Sequence, residues 1–243
     1  MKITVCMATY NGEKYIRKQM DSILKQDLTD YPETEIEIIV SDDGSTDDTL
    51  QIIQSYGDER IKIYHHQQKH SHKYKKGLFA ATENFGYALE KATGDYIFLS
   101  DQDDIWAPFK IKKSLDALTR HGGLCATACY LGASTKDIWC VVRYKEYPRF
   151  KLRRDCFFYG FSIGMTKEFL KKIIPMPVIP AHDIFMTLVA SFSNCVTIIN
   201  EPCAFHRKHG QNTTNNSMYC PFPILYYYRI KMVLIALWRS FFK

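Results

Sequence analysis

The sequence predicts an α/β domain built on a mixed, mainly parallel sheet flanked by helices. Through the first half of the chain, short β-branched or aromatic runs alternate with stretches of helical periodicity. Strands alternating with helices belong to parallel sheets covered on both faces. Hydrophobic residues make up 46% and charged residues 24% of the 243, a globular composition that excludes disorder, collagen and coiled coil. A chain this long buries roughly 70% or more of its unfolded surface and needs no disulfide or zinc staple.

In order, residues 3–8 (ITVCMA), 36–40 (IEIIV), 61–64 (IKIY) and 96–99 (YIFL) read as buried strands. Helices are expected at 13–26, where Tyr15, Ile16, Met20, Ile23 and Leu24 recur at helical spacing, and at 46–56 and 79–92. Ser45 and Thr46 ahead of Asp47 and Asp48 suit a helix N-terminus, where acids complement the dipole. Beyond Asp104 the pattern is less regular. A helix is expected at 108–120, strands at 125–131 and 138–143, an aromatic strand at 156–165 and a helix at 167–174. A proline-rich turn (Pro175, Pro177, Pro180) then delivers His182 and Asp183 to the start of another helix, followed by a strand at 195–200 and a polar loop at 207–216. Residues 212–223, rich in Asn, Thr, Ser and Pro, read as a linker.

The eight cysteines show no Cys-x-x-Cys pair and no zinc-ribbon spacing, and several lie in apolar runs, as expected of a reducing, intracellular setting. No signal peptide is expected ahead of the first strand. Charge is unevenly placed. Residues 1–201 hold 26 bases and 26 acids, whereas 202–243 hold six bases and no acid, so the net +6 belongs to the C-terminal part. That asymmetry suggests an anionic neighbour, phosphate or membrane. Residues 224–242 are long enough to span a bilayer, but Arg229, Lys231 and Arg239 interrupt them. Two readings stand for this aromatic, basic segment: a terminal helix packed on the core, or a membrane-surface anchor held partly by its cations.

Ligands bind at the carboxyl ends of strands in parallel α/β sheets. Three such ends carry Thr9-Tyr10-Asn11-Gly12, Ser41-Asp42-Asp43-Gly44-Ser45 and Ser100-Asp101-Gln102-Asp103-Asp104. Singly, these read as turn formers and caps. Together they crowd five carboxylates into one crevice, and crowded acids repel unless a cation or ligand joins them. A dinucleotide site is excluded at the first turn, which has a single Gly12 and no G-x-G-x-x-G. Asp101 and Asp103, alternate residues at a strand end, suit a hard Mg²⁺ or Mn²⁺ that shares its positions with substrate phosphates.

Residues 1–110 resemble the family 2 glycosyltransferases with the GT-A fold, through VCMATYNGEKYI, IIVSDDGSTDDT and GDYIFLSDQDDIW. The last segment is especially similar to the bacterial branch of rhamnosyl- and related transferases of surface polysaccharides. Fainter matches run to about residue 214, in GFSIGM, His182-Asp183 and RKHGQN, and none covers 215–243. The resemblance implies a GT-A domain over 1–214, with a nucleotide-binding half at 1–110 and an acceptor half at 111–214. It places Thr9, Tyr10 and Asn11 in the nucleotide pocket, and Asp43 on the base with Asp42 beside it. It assigns Asp101 and Asp103 to ribose and to the diphosphate-bound metal, with Asp104 adjoining, and Asp183 to general-base catalysis. The pattern departs at His206, where an aromatic is usual.

A carboxylate that takes a proton from the attacking hydroxyl, with no covalent nucleophile, implies inversion at the sugar carbon. Asp183 taken alone also reads as a helix cap. His209 reads as a surface-loop histidine or as a contact to metal or phosphate. Trp106 reads as the floor of an acceptor site or as a core residue, and His182 is placed with the acceptor. The tract 65–76, with four histidines and four lysines, reads as a solvated basic loop. The partners implied are a nucleotide-sugar donor and a glycan or lipid-linked glycan acceptor, with no nucleic acid. The setting is cytoplasmic, at the inner face of the cell membrane if the anchor reading holds. Two other classes compete: a sugar-phosphate nucleotidyltransferase, which would want a glycine-rich basic loop near the N-terminus, and a non-catalytic glycan-binding protein on the same fold.

Overall fold

The computed structural model describes residues 1–67, 77–145, 158–210, 212 and 222–243. The first half is a run of β–α units: β1 (Lys2–Thr9), α1 (Ile16–Leu24), β2 (Glu35–Asp42), α2 (Thr49–Gln54), β3 (Ile61–His65), α3 (Leu78–Lys91) and β4 (Tyr96–Asp101). These strands pair in parallel in the order β3-β2-β1-β4. The predicted strands and helices of this half all appear, most within a few residues of the expected ends.

The second half is β5 (Ile105–Trp106), α4 (Lys110–His121), β6 (Leu124–Ser134), β7 (Asp137–Val142), β8 (Ile163–Thr166), α5 (Lys167–Ile173), α6 (His182–Phe192), β9 (Val196–Arg207) and α7 (Phe222–Phe242). It extends the sheet from β4 through β8, β6, β9 and β5, with β7 on β6. Here directions mix: β8 is antiparallel to β4 and β6, β9 is parallel to β6, and β5 is antiparallel to β9.

Three expectations are corrected. The aromatic strand shortens, because Gly160–Ser162 form a 3-10 turn ahead of β8 and residues 156–157 lie outside the described residues. The strand expected to end near residue 200 runs on to Arg207, because β6 and β5 flank it and take up its backbone groups. The two-residue β5 is too short to leave a period in the sequence.

Side chains of β1 alternate between two cores and are buried on both faces. Ile3, Val5 and Met7 pack toward α1 and α4, and Cys6 packs toward α3 and α6. Each large apolar side chain so buried contributes about 1.5–3 kcal/mol. Gly94 turns the chain from α3 into β4 against β1, where a Cβ would stand 2.7 Å from the Thr4 amide nitrogen.

The sheet edge remote from the strand carboxyl ends is tied by a buried acid. Glu37 of β2 accepts from Thr4 Oγ1 (2.6 Å), from the Thr93 amide (2.9 Å) and hydroxyl (2.6 Å), and from Lys62 Nζ (3.1 Å); Lys2 Nζ also lies 3.1 Å away. Burial alone would raise this carboxyl, but the threonine and lysine bonds hold it at about 2. Its folded value is below the ordinary 4.5. The stability it confers is therefore present above that value and lost as pH falls toward about 2. Glu37→Gln, which puts an amide N–H₂ among donors, is expected to cost about 1–3 kcal/mol and to flatten this acid limb. Urea unfolding at pH 7 and across pH 2–5 measures both.

Candidate active site

A cleft of about 760 Å³ opens at the carboxyl ends of β1, β2 and β4, closed on its far side by the start of α6 and the end of β9. Its wall includes Thr9, Tyr10, Asp43, Asp101, Asp103 and Asp183. Four strand and helix ends separated by up to 174 residues of chain thus meet at one concave surface, as parallel topology requires.

The donor-side loops are cross-tied. The Gln102 side chain accepts from the Tyr10 amide and donates to the Tyr10 carbonyl, both at 2.9 Å, continuing the β1–β4 ladder beyond its last backbone pair. Gly12 permits this, because a Cβ there would fall 2.3 Å from Gln102 Oε1. Asn11, at φ 47°, accepts from the Thr46 amide through Oδ1 (2.8 Å) and donates its own backbone amide to Ser45 Oγ (2.9 Å). Asp42 is buried and accepts from Thr9 Oγ1 (2.9 Å), the Gly44 and Ser45 amides (3.1 and 2.9 Å) and Ser45 Oγ (2.5 Å). Asp42 is thus saturated within its loop, Asn11 Oδ1 is committed to the neighbouring loop, and neither residue lines the cleft, where both were expected to contact the nucleotide. Thr9 lines it, but its hydroxyl is committed to Asp42.

Asp43 faces the cleft and bonds His66 Nδ1 through Oδ1 (3.0 Å). His66 is buried against Tyr87, ring centroids 5.4 Å apart. This corrects the solvated-loop expectation for that histidine; residues 68–76 of the tract lie outside the described residues.

At the end of β4, carboxylate oxygens of Asp101, Asp103 and Asp104 lie within 4.8 Å of one another. The Asp101 carboxyl is pushed well above the usual range by burial, then by Asp104, Asp103 and Asp183. Hydrogen-bonding groups from β9 and the turn after it answer this crowd. His206 Nδ1 lies 2.7 Å from Asp104 Oδ1, and Arg207 Nε donates to the Asp103 carbonyl (3.2 Å). His209 Nε2 (2.8 Å) and Asn212 Nδ2 (3.0 Å) both reach Asp103 Oδ2. Asp104 is fully buried and absent from the cleft wall, so it serves as the hydrogen-bond partner of His206. Asp101 and Asp103 face the cleft, and among the described residues no hydrogen-bond donor reaches the Asp101 carboxylate. Two hard oxygen donors on the cleft, one of them without a donor of its own, fit a divalent cation. His209, expected among the metal ligands, stacks on Tyr15 (4.3 Å) and directs Nε2 at Asp103, so here it is a hydrogen-bond partner of that acid.

His206 stacks on Phe161 (4.8 Å, 18°) and packs tilted against Tyr159 (5.1 Å, 31°), while its Nδ1 meets Asp104. The site needs a flat ring there, which accounts for the aromatic usual at that place. Asp183 stands in the first turn of α6, its Oδ1 accepting from the Ile184 amide (2.8 Å). His182 packs on Phe85 (4.3 Å) and against Gly160, where a Cβ would come 2.7 Å from Nε2. Both its ring nitrogens are buried without a partner among the described residues, and burial lowers its pKa, opposed by Asp183. Trp106 is 2% exposed, in the core against Phe98 and under Lys110 Nζ (5.0 Å). It cannot floor an acceptor sugar.

Comparison with known proteins decides the family. The model for "Glycosyl transferase family 2" matches residues 4–174. The chain belongs to this family. It is 32% identical over 229 residues to a dTDP-rhamnosyl transferase, RfbG, of Shigella flexneri, covering 85% of this chain and 72% of that protein. Over 122 residues it is 36% identical to the poly(ribitol-phosphate) β-N-acetylglucosaminyltransferase TarS of Staphylococcus aureus, covering 50% of this chain and 19% of TarS. The crystal structure of TarS residues 1–349 with UDP-GlcNAc superposes with a TM-score of 0.72 at 22% identity, over 97% of this chain and 66% of that one. Glucosyl-3-phosphoglycerate synthase of Mycobacterium tuberculosis, solved with Mn²⁺ and UDP, superposes at 0.58 and 17% identity, over 98% of this chain and 80% of that one. The fold is GT-A, and the family makes the chain a glycosyltransferase.

Removing one partner of a buried hydrogen bond leaves the other unsatisfied. His206→Phe keeps the packed ring but leaves Asp104 without its buried partner, and is expected to cost about 1–3 kcal/mol. Asp104→Asn in the same chain should recover much of that loss, as read from urea unfolding of the single and double variants.

Proposed function

We propose that this chain is an inverting, metal-dependent transferase that moves a sugar from a nucleoside-diphosphate donor to a glycan or lipid-linked glycan in surface polysaccharide biosynthesis. The observation that carries this is the meeting of Asp101, Asp103 and Asp183 on one cleft, with Asp183 near enough to raise the Asp101 carboxyl. Thr9, Tyr10 and Asp43 form the wall against which the nucleoside lies, with Asp43 oriented by His66. Asp101 and Asp103 would hold a Mg²⁺ or Mn²⁺ ion, which when bound neutralises charge on the departing diphosphate.

Asp183 accepts the proton of the acceptor hydroxyl as that oxygen bonds to the anomeric carbon. The bond from that carbon to the diphosphate oxygen breaks, and the electron pair leaves with the diphosphate. One displacement without a covalent intermediate inverts the centre. His182, beside the base with unpartnered nitrogens, is suited to receive an acceptor hydroxyl. The Shigella and Staphylococcus relatives, named for transfer of rhamnose and N-acetylglucosamine, support the reading. A nucleotidyltransferase finds no glycine-rich basic loop at the first turn, and a non-catalytic binding protein would have no use for Asp183 facing Asp101.

Asp183→Asn is expected to keep nucleotide binding and lose about 10²–10⁴ in turnover, whereas Asp103→Asn should lose the Mn²⁺-dependent part of donor binding. A panel of nucleotide sugars, read by released diphosphate and by calorimetry, measures both. Transfer at wild-type rate by Asp183→Asn, or in EDTA, would remove the corresponding assignment.

We also propose that the protein works at the inner face of the cell membrane, through α7. Tyr227, Ile230, Leu234, Trp238 and Phe241 are exposed at helical spacing along one face, with aromatics at both ends and no acid anywhere from residue 202 onward. An anionic lipid surface suits such a face. No described helix is long and apolar enough to cross a membrane. Lys231 and Arg239, expected to meet lipid headgroups, instead point inward to backbone carbonyls, so attachment is mainly apolar. Co-sedimentation with phosphatidylglycerol vesicles should therefore survive high salt and be lost in Leu234→Ser/Trp238→Ser. Salt-sensitive binding, or dimers in place of vesicle binding, would overturn this.

A further inference from the structure

Between α5 and α6 lies the loop 174–181, which delivers His182 and Asp183 to the cleft. It contains no regular hydrogen-bonded structure of its own, and three of its eight residues are prolines, which supply no N–H. Its last residue, Ala181, adopts φ 58° and ψ 81°, a left-handed conformation that is unfavourable for a non-glycine residue. A loop so poor in internal bonds, ending in a strained residue next to the base, must be held from outside.

The holding groups come from α7. Arg239, 7% exposed, donates through one terminal nitrogen to the Lys172 (3.4 Å) and Ile173 carbonyls and through the other to the Pro175 carbonyl (2.6 Å). Lys243 Nζ donates to the Ile174 carbonyl, and Lys231 Nζ to the Val178 carbonyl (3.3 Å). The guanidinium also stands over the Phe185 ring (5.4 Å), two residues beyond the base on α6, and Ser240 Oγ donates to the Val189 carbonyl of the same helix (3.1 Å). Arg239 has no carboxylate partner among the described residues. Two of the three cations of α7, together with Lys243 just beyond it, are thus directed at the end of α5 and this one loop. Among the described residues, no hydrogen bond ties α7 to the loops after β1, β2 and β4.

We infer that Arg239, supported by Lys231, is a positioning residue that acts through the 172–178 backbone to hold Asp183 in place, so that α7 is a working part of the catalytic unit although it lies beyond the residues matched by the family model. The inference rests on Asp183 being the base. A fixed guanidinium suits this role better than an ammonium, because its planar fork meets carbonyls in two directions at once.

The test uses the full chain, comparing Arg239→Ala, Arg239→Lys and Lys231→Met with Asp183→Asn. Amide hydrogen exchange should quicken at least tenfold over residues 172–183 in Arg239→Ala, while β1, β2 and β4 stay protected. Release of nucleoside diphosphate from UDP-GlcNAc or dTDP-rhamnose with Mn²⁺, water serving as acceptor, should fall roughly 10–100-fold in kcat, the scale of a misplaced catalytic group. Binding of UDP or dTDP by calorimetry should be unchanged. Added guanidinium should restore part of the protection and turnover in Arg239→Ala. Arg239→Lys and Lys231→Met should give smaller effects of the same pattern, and they stand in should Arg239→Ala not fold.

Wild-type exchange over 172–183 in a folded Arg239→Ala overturns the inference, as does a loss of protection spread evenly over the sheet or a fall in nucleotide affinity matching the fall in kcat. If Asp183→Asn turns over normally, the base assignment falls; if it is inactive while Arg239→Ala is normal, only the role of Arg239 falls.

Discussion

The structure depends on keeping acids together at the end of β4. Asp101, Asp103 and Asp104 arise from one strand end and its turn, close enough to raise the Asp101 carboxyl above its usual range. Left alone, such a cluster would protonate or splay. The reply comes from the end of β9, a strand that reaches the site because β6 and β5 carry it to the same edge of the sheet. His206 bonds the deepest acid, Asp104, and Arg207, His209 and Asn212 bind the backbone and one carboxylate oxygen of Asp103. What is left facing the cleft is the Asp101 carboxyl, which no donor reaches among the described residues. The mixed half of the sheet, in this sense, brings hydrogen-bonding partners to the acids of the parallel half.

The donor wall follows a second rule: loops are bonded to loops before anything is offered to a ligand. Asp42 closes its own turn, Asn11 joins the β1 loop to the β2 loop, and Gln102 joins the β1 loop to the β4 loop. Preorganised groups need not reorganise when charge develops in the transition state. Asp43, with one oxygen on His66, is held in the same way by a residue from the end of β3.

The regular half was legible because its strands are buried on both faces and its helices on one, which leaves a period in the residues themselves. The cleft acids Asp43, Asp101, Asp103 and Asp183 were legible as well, since strand ends and helix starts are fixed by the same pattern. What the pattern does not carry is direction. Asn11 and Asp42 sit at the expected loops but point into them, Trp106 follows the acids in sequence yet turns into the core, and His66 leaves a basic tract to enter a buried pair. The His206–Asp104 contact spans 102 residues; the departure from the usual aromatic at His206 was its one visible trace. In α7, two of the charges that interrupt the apolar run, Lys231 and Arg239, serve contacts to carbonyls, and acceptors of that kind have no sequence signature.

Helix α7 shows how one element can meet two demands. Its inner face carries Met232 and Ala236 into the core and sends Arg239 to the backbone of the loop before the base, while its outer face is apolar and acid-free. A helix with no polar face is usually buried on all sides. Here the inner face is held by cation–carbonyl bonds, whose geometry is fixed, while the outer face is exposed. On the proposed reading, a lipid surface meeting the outer face would bear on the same helix that holds the 172–175 carbonyls, and hence on the segment that carries Asp183. An acceptor carried on a lipid would then arrive beside the element that sets the position of the proposed base.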